Sequence, residues 1–218
     1  KIPSSEITNY FALSRIGTTG KPILLSTGMS NLIEIDAALE VLVRSGSKLE
    51  NITIMHCTSQ YPTPEVDVNL NAITTLKTRY GTAVGFSDHT AGNEAAVAAI
   101  ALGASVIEKH ITLNKKLNGP DHKASIAPEE FAEYVRQIRK TEKILGTFDK
   151  KATSQEELNK LVVRKSLVAR KKIFKGEVLN QSNVTAKRPG EGISPMNWPG
   201  ISGTSAVRDF QKDEQIEL

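Results

Sequence analysis

The sequence predicts an α/β fold made of successive βα units and followed by a small β-rich module. Short apolar runs alternate with amphipathic stretches over the first two thirds of the chain. The apolar runs recur roughly every 20–30 residues, which is the spacing of βα units. From about Lys150 the pattern changes to short β-like runs that Gly, Pro and Asn interrupt.

Composition excludes several classes of function. The 218 residues are 39% hydrophobic and 24% charged, which suits one domain of ordinary size and one small domain. The net charge of +4 forms no basic stripe and only 5% of the residues are aromatic, so a nucleic-acid surface is not expected. No apolar stretch approaches the ~20 residues of a membrane span. The single cysteine, Cys57, fits a reducing compartment, so we expect a cytoplasmic protein.

Four short apolar runs predict parallel strands that are covered on both faces. They lie at residues 21–25, 52–57, 83–86 and 105–108. The first three residues, Lys1-Ile2-Pro3, resemble the end of one more strand, so the chain is expected to open in the middle of a fold.

Helices are predicted between and after these strands. The helix at residues 32–44 has Asn31 as its cap, with Glu34 three residues later. A helix at residues 94–102 follows Asn93 and ends before a glycine, and another at residues 128–145 begins with Pro128. Residues 151–162 are polar and are interpreted as a linker with one helical turn.

The last part of the chain contains two segments that echo one another, "ARKKIFKGEVL" and "VRDFQKDEQI". Each places basic residues before a Lys-(Gly/Asp)-Glu turn and ends on apolar residues. This predicts a small β-rich module with an internal pseudo-repeat. A module of ~55 residues buries little core by itself, so we expect it to pack on another surface.

Polar side chains follow nearly every predicted strand, where βα barrels carry their functional groups. The segments concerned are residues 1–6, 26–29, 56–61, 87–89, 108–110 and 119–122. One cation with several hydroxyl groups is typical of a phosphate site, and the candidates are Lys1, Ser4, Ser26, Ser59 and Ser87. His89 and His110 follow adjacent strands and can share a metal that keeps open positions for substrate oxygens.

Each of these residues also has a structural interpretation. A serine before a helix is more often a cap than an anion ligand, and a lone histidine near a strand end is more often structural. His56 and Cys57 are expected to be structural residues of a buried strand. The patterns alone therefore indicate only a barrel enzyme that acts on a phosphorylated substrate.

A family resemblance adds to this interpretation. The motifs "KIPSSE", "PILLSTGM", "HCTSQYPTP", "GFSDHT", "IEKHIT" and "GPDH", followed by "KRPGEGI", resemble those of the bacterial sialic acid synthases in order and spacing. That family includes the N-acetylneuraminate, legionaminic and pseudaminic acid synthases. The resemblance covers the whole chain. It implies the second half of a (β/α)8 TIM barrel at residues 1–149, a linker at 150–163 and an antifreeze-like β-clip domain at 164–218.

The resemblance also implies an activity. The family are transferases that form a C–C bond: they condense phosphoenolpyruvate with an N-acylated mannosamine-type sugar, release phosphate and form a nine-carbon 2-keto acid. A divalent ion, Mn²⁺ or Mg²⁺, and a domain-swapped homodimer are implied with it. The sugar is left open between N-acetylmannosamine and its 2,4-diacetamido-6-deoxy relatives.

Site residues are implied motif by motif. The implied catalytic residues are Glu6, Glu108, His89 and His110, of which the two histidines hold the metal. The implied substrate-binding residues are Lys1, Ser4, Ser26, Ser59, Tyr61, Ser87, Asp121 and Arg188. The lysine and the serines correspond to phosphate ligands, and Ser59 stands where some members have Asn. Glu6, Tyr61 and Asp121 correspond to sugar-hydroxyl contacts. Arg188 corresponds to an arginine that reaches the N-acyl group from a partner subunit.

One departure from the family pattern keeps other interpretations open. The first barrel half of the family supplies a glutamate, a lysine and a threonine that this chain does not contain. Five strand ends cannot close an eight-stranded barrel, so we expect either a preceding segment in the full protein or an inactive fragment. The alternatives are a catalytically incomplete sugar-binding or structural fragment, and a related phosphoenolpyruvate-dependent aldol-type synthase.

Overall fold

The computed structural model describes all 218 residues and divides into two compact units, Lys1–Gly146 and Thr147–Leu218. The first unit contains a parallel sheet and the second a small antiparallel one. No helix in the structure combines the length and the apolar character that crossing a membrane requires.

The first unit is built on four parallel strands in the order β1-β2-β3-β4. They are β1 (Ile23–Ser26), β2 (Ile52–Cys57), β3 (Val84–Asp88) and β4 (Val106–Lys109). All four coincide with the predicted runs to within two residues at each end. Ile2 forms a parallel bridge with Leu25 and accepts a hydrogen bond from the Ser26 N–H at 3.0 Å, as the end of a further strand does.

Five helices accompany the sheet. They are α1 (Tyr10–Gly17), α2 (Leu32–Arg44), α3 (Asn71–Tyr80), α4 (Glu94–Ala101) and α5 (Pro128–Leu145). The bounds of α2 and α5 are those predicted, and Asn31 forms the expected capping box with Glu34. Helices α1 and α3 are not among the sequence predictions. Helix α3 is mostly polar and has Leu70 at its N-cap, so neither signal of a helix start is present.

The core of this unit lies on the strands. Leu25, Ile54 and Phe86 are almost fully buried. Strand β3 is buried along its whole length, whereas β4, which lies at the edge of the sheet, is half-buried. Gly85 lets the neighbouring strands approach, because a Cβ there would collide with the Met55 side chain and lie 2.8 Å from the Val106 carbonyl oxygen.

The second unit contains α6 (Ser154–Val163), β5 (Ser166–Ala169), β6 (Val184–Lys187) and the short α7 (Trp198–Ile201). Helix α6 has 10 residues, where the sequence of residues 151–162 predicted a linker with one helical turn. Thr153 caps this helix and forms a capping box with Glu156. Helix α6 buries none of its residues. Four of its positions carry apolar side chains that stay exposed: Leu158, Leu161, Val162 and Val163.

The two echoing segments of the second unit lie side by side as a structural repeat. Ile173 and Phe210 occupy equivalent positions and exchange two backbone hydrogen bonds of 3.0 and 2.9 Å. The turns are equivalent as well, since Gly176 and Asp213 both have positive φ, 84° and 71°. Ile173 and Phe210 pack in one core with Leu167, Leu179 and Ile216, so the module has a hydrophobic core of its own.

Candidate functional site

A cleft of about 410 Å³ opens at the carboxyl ends of the strands of the first unit. Nine of the twelve site residues predicted from the sequence line this cleft: Lys1, Ser4, Ser26, Ser59, Tyr61, Ser87, His89, Glu108 and His110. A larger depression of about 680 Å³ lies nearby, but no Lys, Arg, Asp or Glu lines it. The smaller cleft brings a lysine, a glutamate and two histidines together.

The alternation of side chains along β3 and β4 determines which residues reach the cleft. Ser87 and Glu108 are direct partners in the ladder between these strands. His89 lies two residues after Ser87, and His110 lies two residues after Glu108. Because side chains alternate along a strand, both histidines point to the same side as these two residues. All four line the cleft, while the intervening residues, Asp88 and Lys109, do not.

The two histidines lie close together with their rings at a steep angle. The ring centroids are 5.2 Å apart and the rings are inclined by 84°. The Nδ1 atom of His89 lies 2.7 Å from the Thr58 carbonyl oxygen, which only accepts hydrogen bonds, so Nδ1 carries the proton and Nε2 has a free lone pair. Burial and the neighbouring His110 both lower the pKa of His89. The neutral ring is the form that binds metals.

The donor set fits a divalent ion with open coordination positions. The ring separation allows both imidazoles to reach one ion at the ~2.0–2.1 Å of metal–nitrogen bonds. No group of three or more His, Cys, Asp and Glu side chains gathers to hold a metal anywhere in the structure. Two imidazoles would leave most positions to water or substrate oxygens, which is the arrangement that Lewis-acid catalysis needs. The metal itself stays a prediction.

The floor of the cleft contains a buried donor without a partner. Ser26 is only 2% exposed, and its hydroxyl is the single buried side-chain polar atom in the structure that makes no hydrogen bond. Buried polar groups are nearly always paired, so an unpaired one that lines a cleft is free to bind a ligand or a water. Ser4 lies in the same cleft, where its Oγ accepts a hydrogen bond from the Gly28 N–H at 2.9 Å.

Gly28 keeps this floor open. A Cβ at position 28 would collide with Ser59 Oγ and lie 2.8 Å from Ser4 Oγ and 3.0 Å from Cys57 Sγ. Any side chain at this position would fill the space between the hydroxyls. Cys57 is buried and close to Ser4, which agrees with its interpretation as a small structural residue. His56 Nε2 donates to the Val68 carbonyl oxygen at 2.8 Å, and its ring stacks on Phe86, outside the cleft.

Glu108 engages two of the predicted phosphate ligands. Its Oε1 accepts hydrogen bonds from Lys1 Nζ at 2.7 Å and from Ser87 Oγ at 2.8 Å. Burial alone would raise the pKa of Glu108, but these two hydrogen bonds and the charge of Lys1 outweigh it and lower the pKa. An anion in the cleft would therefore have to share Lys1 and Ser87 with an ionised carboxylate. The sequence prediction, which treated these residues separately, did not include this competition.

Tyr61 covers the histidines at the mouth of the cleft. Its ring centroid lies 4.2 Å from that of His89 and 5.3 Å from that of His110. Because the tyrosine is 47% exposed, one edge of the ring faces solvent. A ligand at the histidines would therefore lie close to this ring.

The remaining three predicted residues do not line the cleft. Asp121 lies beside it, with Oδ2 at 3.9 Å from His110 Nδ1. Glu6 is half-buried and its Oε2 accepts a hydrogen bond of 2.6 Å from Asn9. Arg188 belongs to the second unit, where it is exposed directly after β6.

Two family models match the chain. That of the NeuB family matches residues 1–150 and that of the SAF domain matches residues 164–217. The N,N'-diacetyllegionaminic acid synthase of Campylobacter jejuni is 50% identical over 216 residues, which are 99% of this chain and 65% of that protein. The protein of the same name from Legionella pneumophila is 39% identical over 206 residues, 94% of this chain and 58% of that one.

The chain is also similar to a solved structure. The crystal structure of an N-acetylneuraminic acid (sialic acid) synthetase from Leptospira borgpetersenii, in complex with citrate, is 35% identical with a TM-score of 0.66. The match covers 72% of this chain and 54% of that one. The chain thus spans about two thirds or less of the length of these relatives.

Proposed function

The chain belongs to the NeuB family, and we propose on this basis that it forms part of a synthase of sialic-type acids. The reaction proposed is the metal-dependent condensation of phosphoenolpyruvate with an N-acylated mannosamine-type sugar. One water is consumed, and the products are a nine-carbon 2-keto acid and inorganic phosphate. The observation that carries the proposal is the unpartnered Ser26 hydroxyl, which lies in the same cleft as the two adjacent imidazoles of His89 and His110.

The phosphate of phosphoenolpyruvate would bind at the floor of the cleft. Ser26 offers a free hydroxyl there, and Ser4 and Ser59 lie on either side of Gly28. Lys1 supplies the positive charge and would divide its hydrogen bonds between the phosphate and Glu108. Phosphate is a product and has to leave the site. A lysine that divides its hydrogen bonds between the phosphate and Glu108 binds the phosphate with moderate strength, which suits both binding and release.

His89 and His110 are the proposed ligands of the divalent ion, Mn²⁺ or Mg²⁺. When bound, the ion would polarise the aldehyde of the open-chain sugar. The Thr58 carbonyl keeps the proton of His89 on Nδ1 and so leaves Nε2 available. Glu108 would orient a water or a ligand beside the metal, because Lys1 and Ser87 hold its carboxylate in place.

We propose a 2,4-diacetamido-6-deoxy sugar as the acceptor. Two of the relatives named above are N,N'-diacetyllegionaminic acid synthases, at 50% and 39% identity. The test is phosphate release by the full-length protein with phosphoenolpyruvate and each sugar. We expect kcat/KM to be at least about tenfold higher with 2,4-diacetamido-2,4,6-trideoxymannose than with N-acetylmannosamine, since one additional acyl contact is worth about 1–2 kcal/mol.

Omission of the divalent ion is the control for this assay, and it should abolish phosphate release. Equal rates with the two sugars would refute the assignment of the acceptor alone. Release of phosphate without a metal or without any sugar would contradict the proposed reaction. Absence of turnover with every aldehyde tested would favour the alternative of a sugar-binding or structural protein.

Arg188 is proposed to contact the N-acyl group of the sugar from a partner subunit of a homodimer. It is exposed after β6 and free to meet another surface. We expect Arg188→Ala to raise the KM for the sugar about tenfold or more, because a hydrogen bond to a charged group is worth about 1.5–3 kcal/mol. The KM for phosphoenolpyruvate should change little.

Lys187→Ala is the matched control, since this neighbour also carries a positive charge but is paired with Asp213 at 2.5 Å. It should leave both Michaelis constants unchanged. Sedimentation should show the same oligomeric state for both variants. An Arg188→Ala enzyme with normal sugar affinity, or a monomeric active enzyme, would contradict the subunit-crossing role.

A further inference from the structure

A buried polar cluster lies directly behind the two candidate metal ligands. Asp88 and Lys109 are partners at the last position of the ladder between β3 and β4, and each is followed by one of the histidines. Their side chains are 0% and 2% exposed, and Lys109 Nζ lies 3.0 Å from Asp88 Oδ2. Because side chains alternate along a strand, this pair occupies the face opposite the cleft.

Two further residues complete the cluster. Tyr134 on α5 donates its hydroxyl to Asp88 Oδ2 at 2.8 Å. Thr90 donates both its N–H and its hydroxyl to Asp88 Oδ1, at 2.8 and 2.7 Å. Lys109 Nζ also donates to the Thr90 carbonyl at 2.5 Å. We refer to Asp88, Thr90, Lys109 and Tyr134 as the Asp88 cluster.

The position of this cluster calls for an explanation beyond stability. A buried ion pair is often no more stabilising than well-packed apolar residues of the same volume, because both charges lose their hydration. In some proteins such a pair supplies a defined geometry instead. Here the contacts hold Asp88 and Thr90, the neighbours of His89 on both sides, and Lys109, the residue before His110. None of the four members lines the cleft.

We propose that the Asp88 cluster is a positioning element that sets the separation of the His89 and His110 rings. The cluster joins the ends of β3 and β4, and β4 is the edge strand of the sheet in this chain. Without the cluster the two strand ends lose their common side-chain anchor on α5, and the imidazoles no longer meet in a fixed arrangement. The inference rests on the proposed function for the role of these imidazoles as ligands.

The experiment compares two variants of the cluster with a matched control in the full-length protein. Tyr134→Phe removes one hydroxyl and keeps the ring. Asp88→Asn/Lys109→Met removes both charges together, so that neither is left buried alone. The control is Tyr80→Phe, because the Tyr80 hydroxyl also donates to an aspartate, Asp36, at 2.8 Å. Asp36 is likewise paired with a cation, Arg79. These contacts join α2 to α3 and lie away from the cleft.

Affinity for Mn²⁺ alone is measured by electron paramagnetic resonance, and folding is checked by thermal unfolding. We expect the double variant to bind Mn²⁺ at least about tenfold more weakly, the range found for groups that orient metal ligands. Tyr134→Phe should weaken binding roughly threefold, as the loss of one hydrogen bond does. Tyr80→Phe should bind like the wild type. Cluster variants that are folded and bind Mn²⁺ with wild-type affinity would overturn the inference.

A second measurement without metal keeps the inference separate from the proposed function. In protein labelled with ¹⁵N-histidine, the His89 Nδ1–H that bonds to Thr58 should give a slowly exchanging signal. We expect Tyr134→Phe to accelerate its exchange and Tyr80→Phe to leave it unchanged. Wild-type protein that binds no Mn²⁺ would contradict the proposed metal site, and this signal would then decide the positioning role alone. Identical exchange in all variants would overturn that role.

Discussion

Replacement of either His89 or His110 by alanine is expected to lower turnover about a thousandfold in the full-length protein. A bound ion supplies several kcal/mol of charge stabilisation at the transition state, and each 1.36 kcal/mol corresponds to a factor of ten in rate. Each variant keeps only one of the two imidazoles that lie 5.2 Å apart in the cleft. Affinity for Mn²⁺ should fall in parallel with the rate.

His56→Ala is the matched control for this prediction. His56 also lies at the end of a strand, but its ring bonds to the Val68 carbonyl at 2.8 Å and stacks on Phe86 outside the cleft. We expect this variant to lose stability, since it removes a hydrogen bond and a packed ring, while its Mn²⁺ affinity stays unchanged. An alanine variant at position 89 or 110 with an undiminished rate would refute the shared metal site.

The second large effect is expected from Ser26→Ala, which should change stability and binding in opposite directions. The buried hydroxyl of Ser26 has no partner in the protein, and such a group costs about 1–3 kcal/mol. Alanine removes this cost, so the free energy of unfolding should rise by about 1 kcal/mol. The KM for phosphoenolpyruvate should rise about tenfold or more, because a hydrogen bond to a charged group contributes about 1.5–3 kcal/mol.

Ser166→Ala in β5 is the matched control for Ser26→Ala. Ser166 is equally buried, but its hydroxyl donates to the Pro189 carbonyl at 2.7 Å and accepts from the Gly192 N–H at 2.8 Å. Its replacement should therefore destabilise the protein and leave phosphoenolpyruvate binding unchanged. Chemical denaturation and inhibition by inorganic phosphate measure the two quantities independently. A Ser26→Ala protein with reduced stability and normal phosphate affinity would show that Ser26 is a structural residue.

Local signals in the sequence were sufficient for most elements of the first unit. Strand β2 and helices α2 and α5 have their predicted bounds, because a continuous apolar run, a capping box and an initial proline each act within a few residues of the chain. Helix α3 begins without a capping side chain and buries Ile73 and Leu76, so tertiary packing overrides weak local preference there. Helix α6 buries no residue, and its local signal is the capping box of Thr153 and Glu156, which the sequence prediction did not use.

The location of the candidate site also followed from the sequence. The carboxyl ends of parallel strands meet at one edge of the sheet, so polar residues that follow successive strands were expected to converge. The seven residues that this argument singled out do so in one cleft: Lys1, Ser4, Ser26, Ser59, Ser87, His89 and His110. Tyr61 and Glu108, which the family resemblance implied, line the same cleft. This convergence depends on chain order and strand direction alone, and both can be read from the spacing of apolar runs.

Contacts between distant residues were decided by the tertiary structure alone. Lys1 and Glu108 are 107 residues apart along the chain and Tyr134 and Asp88 are 46 apart, yet both pairs are hydrogen-bonded. The same holds for the proton position on His89, which the Thr58 carbonyl determines, and for the unpaired hydroxyl of Ser26. The residue types and their order determined which groups surround the cleft. Only the packing of strands and helices determined which of these groups are already paired and which stay free for a ligand, because a hydrogen bond depends on distances of tenths of an ångström that no sequence pattern specifies.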